Sequence, residues 1–461
     1  MEEIKILGFT LQQWVESMDS NDAENVEKAL CYYDGDQEEA MEKLLSDNQR
    51  GRKNWRERGI IPRFRNLTNM IVEKSGKLFK DNPPVITAET ESLTHALMSE
   101  LEAANYIEFF QNLDSTVRLV KTALVLVQYD STDNTLAFEL LHRANSSIML
   151  DQSMKHIQAL VYKTSEMDNI ETYRIITIDE YIDLIETEDE YTNVKRVAIT
   201  NREPNPYGII PVTFFHDTKI PRNGFWNKPG MDLISINELY NLHLTDSEYA
   251  ISWAKLPTLF TNCEFAETED SLEESVPYGS KYPHLTQAAP EIIGGPSRAI
   301  QLNSQGVDSP FIEYKSPKID IKPLDETIGG WIQQYAYDWS VNLVTGNGTA
   351  NSGFQLVVEE IPNLELRQQR SKQMAAGIKR LYSIISTVLN TARGNNIFTG
   401  SITVEFTQPK LPVDIKQNQE AWDLKIAGNR ASVIDYLVEE EGYTRDEAIN
   451  KYNEIKLFNQ Q

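Results

Sequence analysis

Apolar positions in this chain step by three or four residues over several stretches and cluster in short runs over others. Val26, Ala29 and Leu30 mark one face of a first helix, which Gly35 stops. Met41, Leu44 and Leu45 mark a second, and Asp36 with Glu39 has the spacing of a capping box at its start. Ile71, Val72, Leu78 and Phe79 predict an amphipathic helix over 60–80, ended by Asn82-Pro83-Pro84, with helical segments following around Glu91 to Asn112. From Val117 to Phe215 the period becomes strand-like. Leu119-Val120, Ala123–Val127, Ala137-Phe138, Ala159–Tyr162, Tyr173–Ile176 and Pro211–Phe215 are β-branched or aromatic runs between Asp, Asn and Gly turns. This region reads as α+β with a mainly antiparallel sheet.

Helical spacing returns at Asp232 to Ala254, through Leu233, Ile236, Leu239, Tyr240, Leu242 and Ala250, and ends before Pro257. From Cys263 to Lys318 recurrent prolines, among them Pro277, Pro290 and Pro310, leave only short apolar runs. Leu324 to Leu343 reads as helix again, with Ile328, Trp331, Ile332, Tyr335, Ala336 and Trp339. An uncharged loop, Val344 to Gly353, precedes a long amphipathic helix that Pro362 interrupts and that buries Leu356, Ile378, Leu381, Ile385 and Val388. Ile402–Phe406 is one strand. Ser432 caps a short helix stopped by Gly442, and Thr444 with Glu447 forms a capping box for Arg445 to Leu457.

Charge changes the picture more than composition does. The 461 residues suffice for two or three domains, and an apolar share of 40% suggests an elongated shape with much surface. The formal charge is −25. A protein gripping nucleic acid through phosphates carries a basic surplus, so this chain repels DNA at long range. Against that background Arg50, Arg52, Lys53, Arg56, Arg58, Arg63 and Arg65 crowd into sixteen residues. Such a run can meet an acidic neighbouring subunit, DNA or nothing, and the acidity of the rest favours the subunit.

Chemistry finds little footing. Gly346-Asn347-Gly348 lacks the third glycine of a dinucleotide loop, and Ser75-Gly76-Lys77 lacks the leading glycine and the hydroxyl of a P-loop. The six histidines are scattered without i,i+4 pairs, Cys31 and Cys263 stand alone, and no Gly-x-Ser-x-Gly elbow occurs. No enzyme activity, metal or cofactor is expected. The start, MEEIKILGFTLQQW, lacks the pattern of a secretion signal, and no apolar run approaches a bilayer span, so a soluble chain without a membrane partner is expected.

Several segments resemble, in order, those of tailed-bacteriophage portal proteins. IPRFRNLTNMIVEKSGKLFKDNPPVI resembles the opening of the wing. DLISINELYNLHLTDSEYAISWAKLPTLF is similar to the first stem helix, TGNGTANSGFQLVVEEIPNLELRQQRSKQMAAGIKRLYSIISTVLN to the tunnel loop and helix, and GNRASVIDYLVEEEGYTRDEAINKYNEI to the crown. The resemblance runs from about Ile60 to Glu454, and the acidic segment before Arg50 lies outside it. It implies a portal-protein fold: an N-terminal acidic helical segment (1–49), α/β wing (50–231), first stem helix (232–260), small β-containing clip (261–322), second stem helix (323–343), tunnel loop (344–353), kinked tunnel helix (354–393), wing return strand (394–414) and helical crown (415–461). It also implies a ring, typically dodecameric, at one capsid vertex. Through such a ring double-stranded DNA is packaged by the terminase motor and later ejected.

Thr345, Gly346, Asn347, Gly348, Thr349, Ala350 and Asn351 would then face passing DNA, with Pro362 as the helix kink. The acidic surface Glu264, Glu267, Glu269, Asp270, Glu273 and Glu274 would meet the terminase large subunit or a head–tail adaptor. Major capsid protein and scaffold would be further partners, the virion the final location, and the host bacterial cytoplasm the place of synthesis. The rival expectation is another structural or adaptor protein of the head–tail junction, without its own packaging channel.

Overall fold

The computed structural model describes residues 5–47, 60–79, 83–151, 156–167, 170–188, 195–218, 225–255, 258–261, 264–265, 302–303, 309, 311–315, 321–343, 353–407, 422–428, 430–439 and 445–458. The chain divides into two units, one of Met1–Glu39, Arg65–Glu238 and Gly329–Gln461, the other of Ala40–Phe64 and Leu239–Ile328.

The N-terminal elements are β1 (Lys5–Ile6), β2 (Phe9–Thr10), α1 (Leu11–Glu16), α2 (Asn21–Asp34), α3 (Glu38–Asp47) and α4 (Leu67–Val72). Next come β3 (Val85–Ala88), α5 (Glu91–Ala103), α6 (Tyr106–Val120), β4 (Thr122–Asp130), β5 (Thr135–Leu141), β6 (Ser146–Leu150), β7 (Ile157–Met167), β8 (Ile170–Thr177), β9 (Glu180–Glu188), β10 (Lys195–Pro204) and β11 (Val212–His216). Then follow α7 (Met231–Lys255), β12 (Thr258–Thr261), β13 (Glu264–Phe265), β14 (Leu302–Asn303), β15 (Ile312–Lys315), α8 (Lys322–Asp338), α9 (Gly353–Arg393), β16 (Ile402–Glu405), α10 (Val433–Glu439) and α11 (Arg445–Phe458). The fold is α+β, and every described strand pairing is antiparallel.

In the first unit the period-two rule builds layers. Ala123, Val125 and Val127 of β4 face a core shared with α5, α6 and α9, while Leu124 and Leu126 face a second core with Leu160 and Tyr162 of β7. On β7 the alternate residues Ala159 and Val161 point away from that second core, to Trp14 and Val15 of α1. A three-stranded sheet, β11-β4-β5, thus lies between helices and the five-stranded sheet β10-β9-β8-β7-β6, whose far face α1 covers. Burial on both faces is why Ala123–Val127 reads as an unbroken apolar run. Each fully buried Leu, Ile or Val contributes on the order of 1.5–3 kcal/mol.

Three sequence expectations are corrected. The helix expected over 60–80 shrinks to α4. Pro62 keeps its neighbour out of helical conformation, Asn66 caps α4 through Oδ1 on the Asn69 N–H (2.8 Å), and the chain turns at Gly76 (φ +60°). Leu119-Val120 is the end of α6, not a strand; Lys121 (φ +67°) then turns the helix directly into β4. The helix expected to Leu343 stops at Asp338, where Ser340 (φ +61°) lets the Val341 N–H reach the Ala336 carbonyl (2.8 Å). By contrast α7 and α9 run close to the expected bounds, although α7 ends at Lys255 and a strand begins at Thr258. α3 begins at Glu38, behind Gln37.

In the second unit Leu45 and Ile60 pack with Leu242 and Tyr249 of α7. The Thr245 hydroxyl accepts the Arg63 N–H (3.0 Å), and His243 Nε2 meets Asp325 Oδ1 (2.6 Å). β12 pairs with β15, and β13 with β14. No helix among the described residues is long and apolar enough to cross a membrane.

Candidate functional site

A charged side chain on the apolar face of a helix must find its partners in the core. Arg370 sits four residues before Met374 and eight before Ile378, on the stripe that α9 buries, and is 2% exposed. Every N–H of its guanidinium is engaged. Nε donates to Asp217 Oδ1 (2.7 Å), and Nη2 to Asp114 Oδ1 (2.7 Å) and the Asp114 carbonyl (2.9 Å). Nη1 donates to the Gly76 and Ser75 carbonyls (2.6 and 3.4 Å).

Asp217, just past β11, also receives Arg118 Nη1 from α6 (2.8 Å) and Lys121 Nζ (3.1 Å). Arg118 further donates to Ser75 Oγ (2.9 Å) and the Trp339 carbonyl (3.3 Å), and the Leu78 N–H donates to Asp114 Oδ2 (2.8 Å). The Trp339 ring carries Arg118 and Lys121 at 4.4 and 4.2 Å from its centroid, and its Nε1–H donates to Asp232 Oδ2 (3.1 Å). Gly230 makes room for the indole: a Cβ there would lie 2.3 Å from Cζ2. One cluster therefore ties α6, the 75–76 turn, the end of β11, the residue after α8, and α9.

Its electrostatics follow from what each group faces. Burial opposes the Asp217 carboxylate, but Arg118, Arg370 and Lys121 outweigh it and hold the carboxyl well below the usual range. Asp114 faces fewer cations and is raised by burial. Lys121 is pushed down to about 8 by burial and by the neighbouring Arg118. Its left-handed backbone, unusual for a residue with a side chain, is offset by the contacts its ammonium makes. All the charged groups are engaged with one another, so the cluster acts as a mechanical anchor.

Pro362, the expected kink residue, lies inside the continuous helix α9. It has no N–H to offer the Val358 carbonyl, so the helix is weakened there. One residue later the grip begins: Asn363 Oδ1 accepts the Gly76 N–H (2.6 Å), and its Nδ2 donates to the Lys74 carbonyl (3.4 Å). Leu366 and Arg370 pack over Gly76. The helix is therefore clamped from Asn363 onward, and residues 353–361 lead back from Pro362 toward the uncharged loop.

The loop residues Thr345, Gly346, Asn347, Gly348, Thr349, Ala350 and Asn351 lie outside the described residues. So do Arg50, Arg52, Lys53, Arg56 and Arg58 of the basic run, and Glu267, Glu269, Asp270, Glu273 and Glu274 of the acidic surface. Glu264 is placed as backbone only, in β13. Arg63 is exposed and forms an ion pair with Glu248 of its own chain. Arg65 is exposed, and its carbonyl accepts Asn237 Nδ2 (3.1 Å).

The anchor is faint in the sequence. Its signal was a cation at a core position of an amphipathic helix, together with Arg118 inside the run Val117-Arg118-Leu119-Val120. An open cleft of about 440 Å³ on the five-stranded sheet is lined by Glu139, Tyr162, Arg174 and Asp183 among others. Arg174 is held there by Asp183 (2.6 and 3.2 Å), which leaves no uncompensated cation for an anionic ligand. Among the described residues no group of His, Cys, Asp and Glu could hold a metal ion.

No family model matches the chain, and no curated protein does. Among solved structures it is similar to a chain of the virion of a native gene transfer agent (GTA) particle, at 10% identity and a TM-score of 0.44, covering 81% of this chain and 88% of that one. It is also similar to a chain of the neck of an empty GTA particle, at 10% identity and a TM-score of 0.45, covering 85% and 93%.

Proposed function

We propose that this chain is the portal subunit of a tailed bacteriophage, assembled as a ring at one capsid vertex, through which double-stranded DNA passes during packaging and ejection. The observation that carries the proposal is the order of elements. A 25-residue helix, an antiparallel strand pair, a 17-residue helix, an uncharged Gly/Asn/Thr loop and a 41-residue helix with an internal proline follow one another as the stem, clip, stem, tunnel loop and tunnel helix of such a subunit.

The anchor suits this role. A loop that meets moving DNA needs a soft tip on a fixed support; Arg370 and Asn363 supply the fixed support and Pro362 the point of give. Twelve copies at −25 would set roughly 300 negative charges around the duplex, so phosphates would be repelled and not bound at each step. Thr345, Asn347, Thr349 and Asn351 offer neutral, exchangeable hydrogen bonds. In this reading the chain performs no catalysis. ATP hydrolysis belongs to the terminase large subunit, which docks on the clip in turn with a head–tail adaptor, while capsid protein and scaffold surround the ring.

Shortening the loop between Gly346 and Asn351 tests the reading. Particles carrying the shortened chain should form rings normally yet package or retain little DNA. Normal DNA content would contradict it.

A further inference from the structure

Charge is distributed unevenly in this chain. Between Glu365 and Glu405 there is no Asp or Glu, although the stretch carries Arg367, Arg370, Lys372, Lys379, Arg380 and Arg393. The arginines are engaged within their own subunit. Arg370 is in the anchor, and Arg393 pairs with Glu100 (2.6 Å). Arg380 lies over the Phe214 ring (4.4 Å), and Arg367 donates to the Thr407 carbonyl (3.1 Å). Lys372 and Lys379 are different. Both are exposed on the solvent face of α9, and neither forms an ion pair among the described residues. They stand seven residues apart, about 10 Å along the helix, with Gln369, Ala376 and Ser383 beside them and no anion.

Residues 1–49 are the opposite extreme, with thirteen Asp and Glu against three Lys. There α2 buries Ala23, Val26, Ala29 and Tyr32, which turns Glu24, Glu27 and Asp34 to solvent on the other face. None of the three forms an ion pair among the described residues. Glu27 and Asp34 are also seven residues apart. The spacing of the acidic stripe on α2 therefore equals that of the lysines on α9.

We infer that α2 of one copy lies along the solvent face of α9 of a second copy, with Glu27 and Asp34 opposite Lys372 and Lys379. The inference rests on the proposed function only in requiring that copies assemble. Copies this acidic repel one another, so a stable contact needs local complementarity, and these two faces provide it in register. DNA phosphates would also attract two lysines. That alternative makes few counterion-releasing contacts and leaves the matched stripe on α2 without a partner.

Charge reversal on the full chain tests it, with ring assembly read by native mass measurement across protein concentration. Lys372→Glu with Lys379→Glu, or Glu27→Lys with Asp34→Lys, should each raise the half-assembly concentration by on the order of tenfold. The combined variant should recover most of the loss, and added salt should weaken the wild type. All four positions are exposed, so circular dichroism should show unchanged folding. Reversals that assemble like the wild type, or a combined variant as poor as either half, would overturn the inference. So would lysine variants that form normal rings but lose DNA retention, since the face would then serve nucleic acid. Wild-type rings indifferent to every reversal would leave the portal reading standing; a wild-type chain that never assembles would end both.

Discussion

Arg370 and Arg63 each hold carboxylates, yet they differ in nearly everything that gives an ion pair weight. Arg370 is 2% exposed and Asp217 3%, whereas the side chains of Arg63 and Glu248 are 47% and 45% exposed. At the surface, water, salt and side-chain entropy compete with the pair. In the core water and salt are shut out, and a partner removed leaves a charge stranded in a medium that cannot solvate it. Burial, not local charge density, decides which basic residue holds this molecule together.

The sharpest break is at Asp217. Asp217→Ala leaves Arg118, Lys121 and Arg370 around one remaining carboxylate, and urea unfolding should show a loss of about 3–5 kcal/mol. A loss within about 1 kcal/mol, the range of exposed pairs, would erase the distinction. Below the ordinary carboxylate pKa the wild type should weaken in the same way. Asp217 is held low in the folded chain, so its contribution is present above that pKa and lost as the pH falls through the folded value.

Burial acts on histidine as well. His142 Nδ1 is the one buried side-chain nitrogen or oxygen without a hydrogen-bond partner among the described residues, and burial pushes the imidazole down from 6.5 to about 4. The unfolded chain takes up this proton first. Stability from His142 is therefore complete above pH 6.5 and declines toward pH 4, by about 3 kcal/mol in all. His142→Leu should flatten the pH profile by that amount in calorimetric or denaturant titrations, while His216, pushed to about 4 by burial and then by Arg380, keeps the rest of the slope. Profiles that coincide would refute this.

Packing around the anchor gives the next effect. A Cβ on Gly230 would lie 2.3 Å from the Trp339 ring, and one on Gly377 2.4 Å from Phe215. Gly230→Ala and Gly377→Ala should each cost about 1–3 kcal/mol, measured by thermal unfolding. Gly330→Ala, with nothing within 4 Å, should be neutral or stabilising. The smallest effect belongs to the surface pair: Arg63→Ala should leave Tm unresolved from wild type, and a clear drop would mean that the exposed pair carries more than its exposure allows.

Much of the fold was legible because it is local. Gly35 stops α2, Ser432 Oγ accepts the Asp435 N–H (3.1 Å) at the start of α10, and α7, α9 and β16 lie where periodicity put them. β9 and β10 were not, since acids mask their alternation: Glu186 is 4% exposed, on the strand face that also buries Ile182 and Leu184, and is held by Lys195 (3.2 Å). The anchor was illegible for a different reason. Asp114, Asp217 and Arg370 are widely separated in the chain, and no spacing rule joins them. A cation among apolar positions was the only trace they left. The loop and the basic run drew notice by composition, which marks exposed segments well and buried partnerships poorly.

Electron microscopy of the purified full chain tests the central claim most directly. Closed rings are expected, with an axial opening wide enough for B-form DNA and the uncharged 344–352 segment facing into it. A monomer at every concentration, or a ring whose centre is too narrow for a duplex, would contradict it.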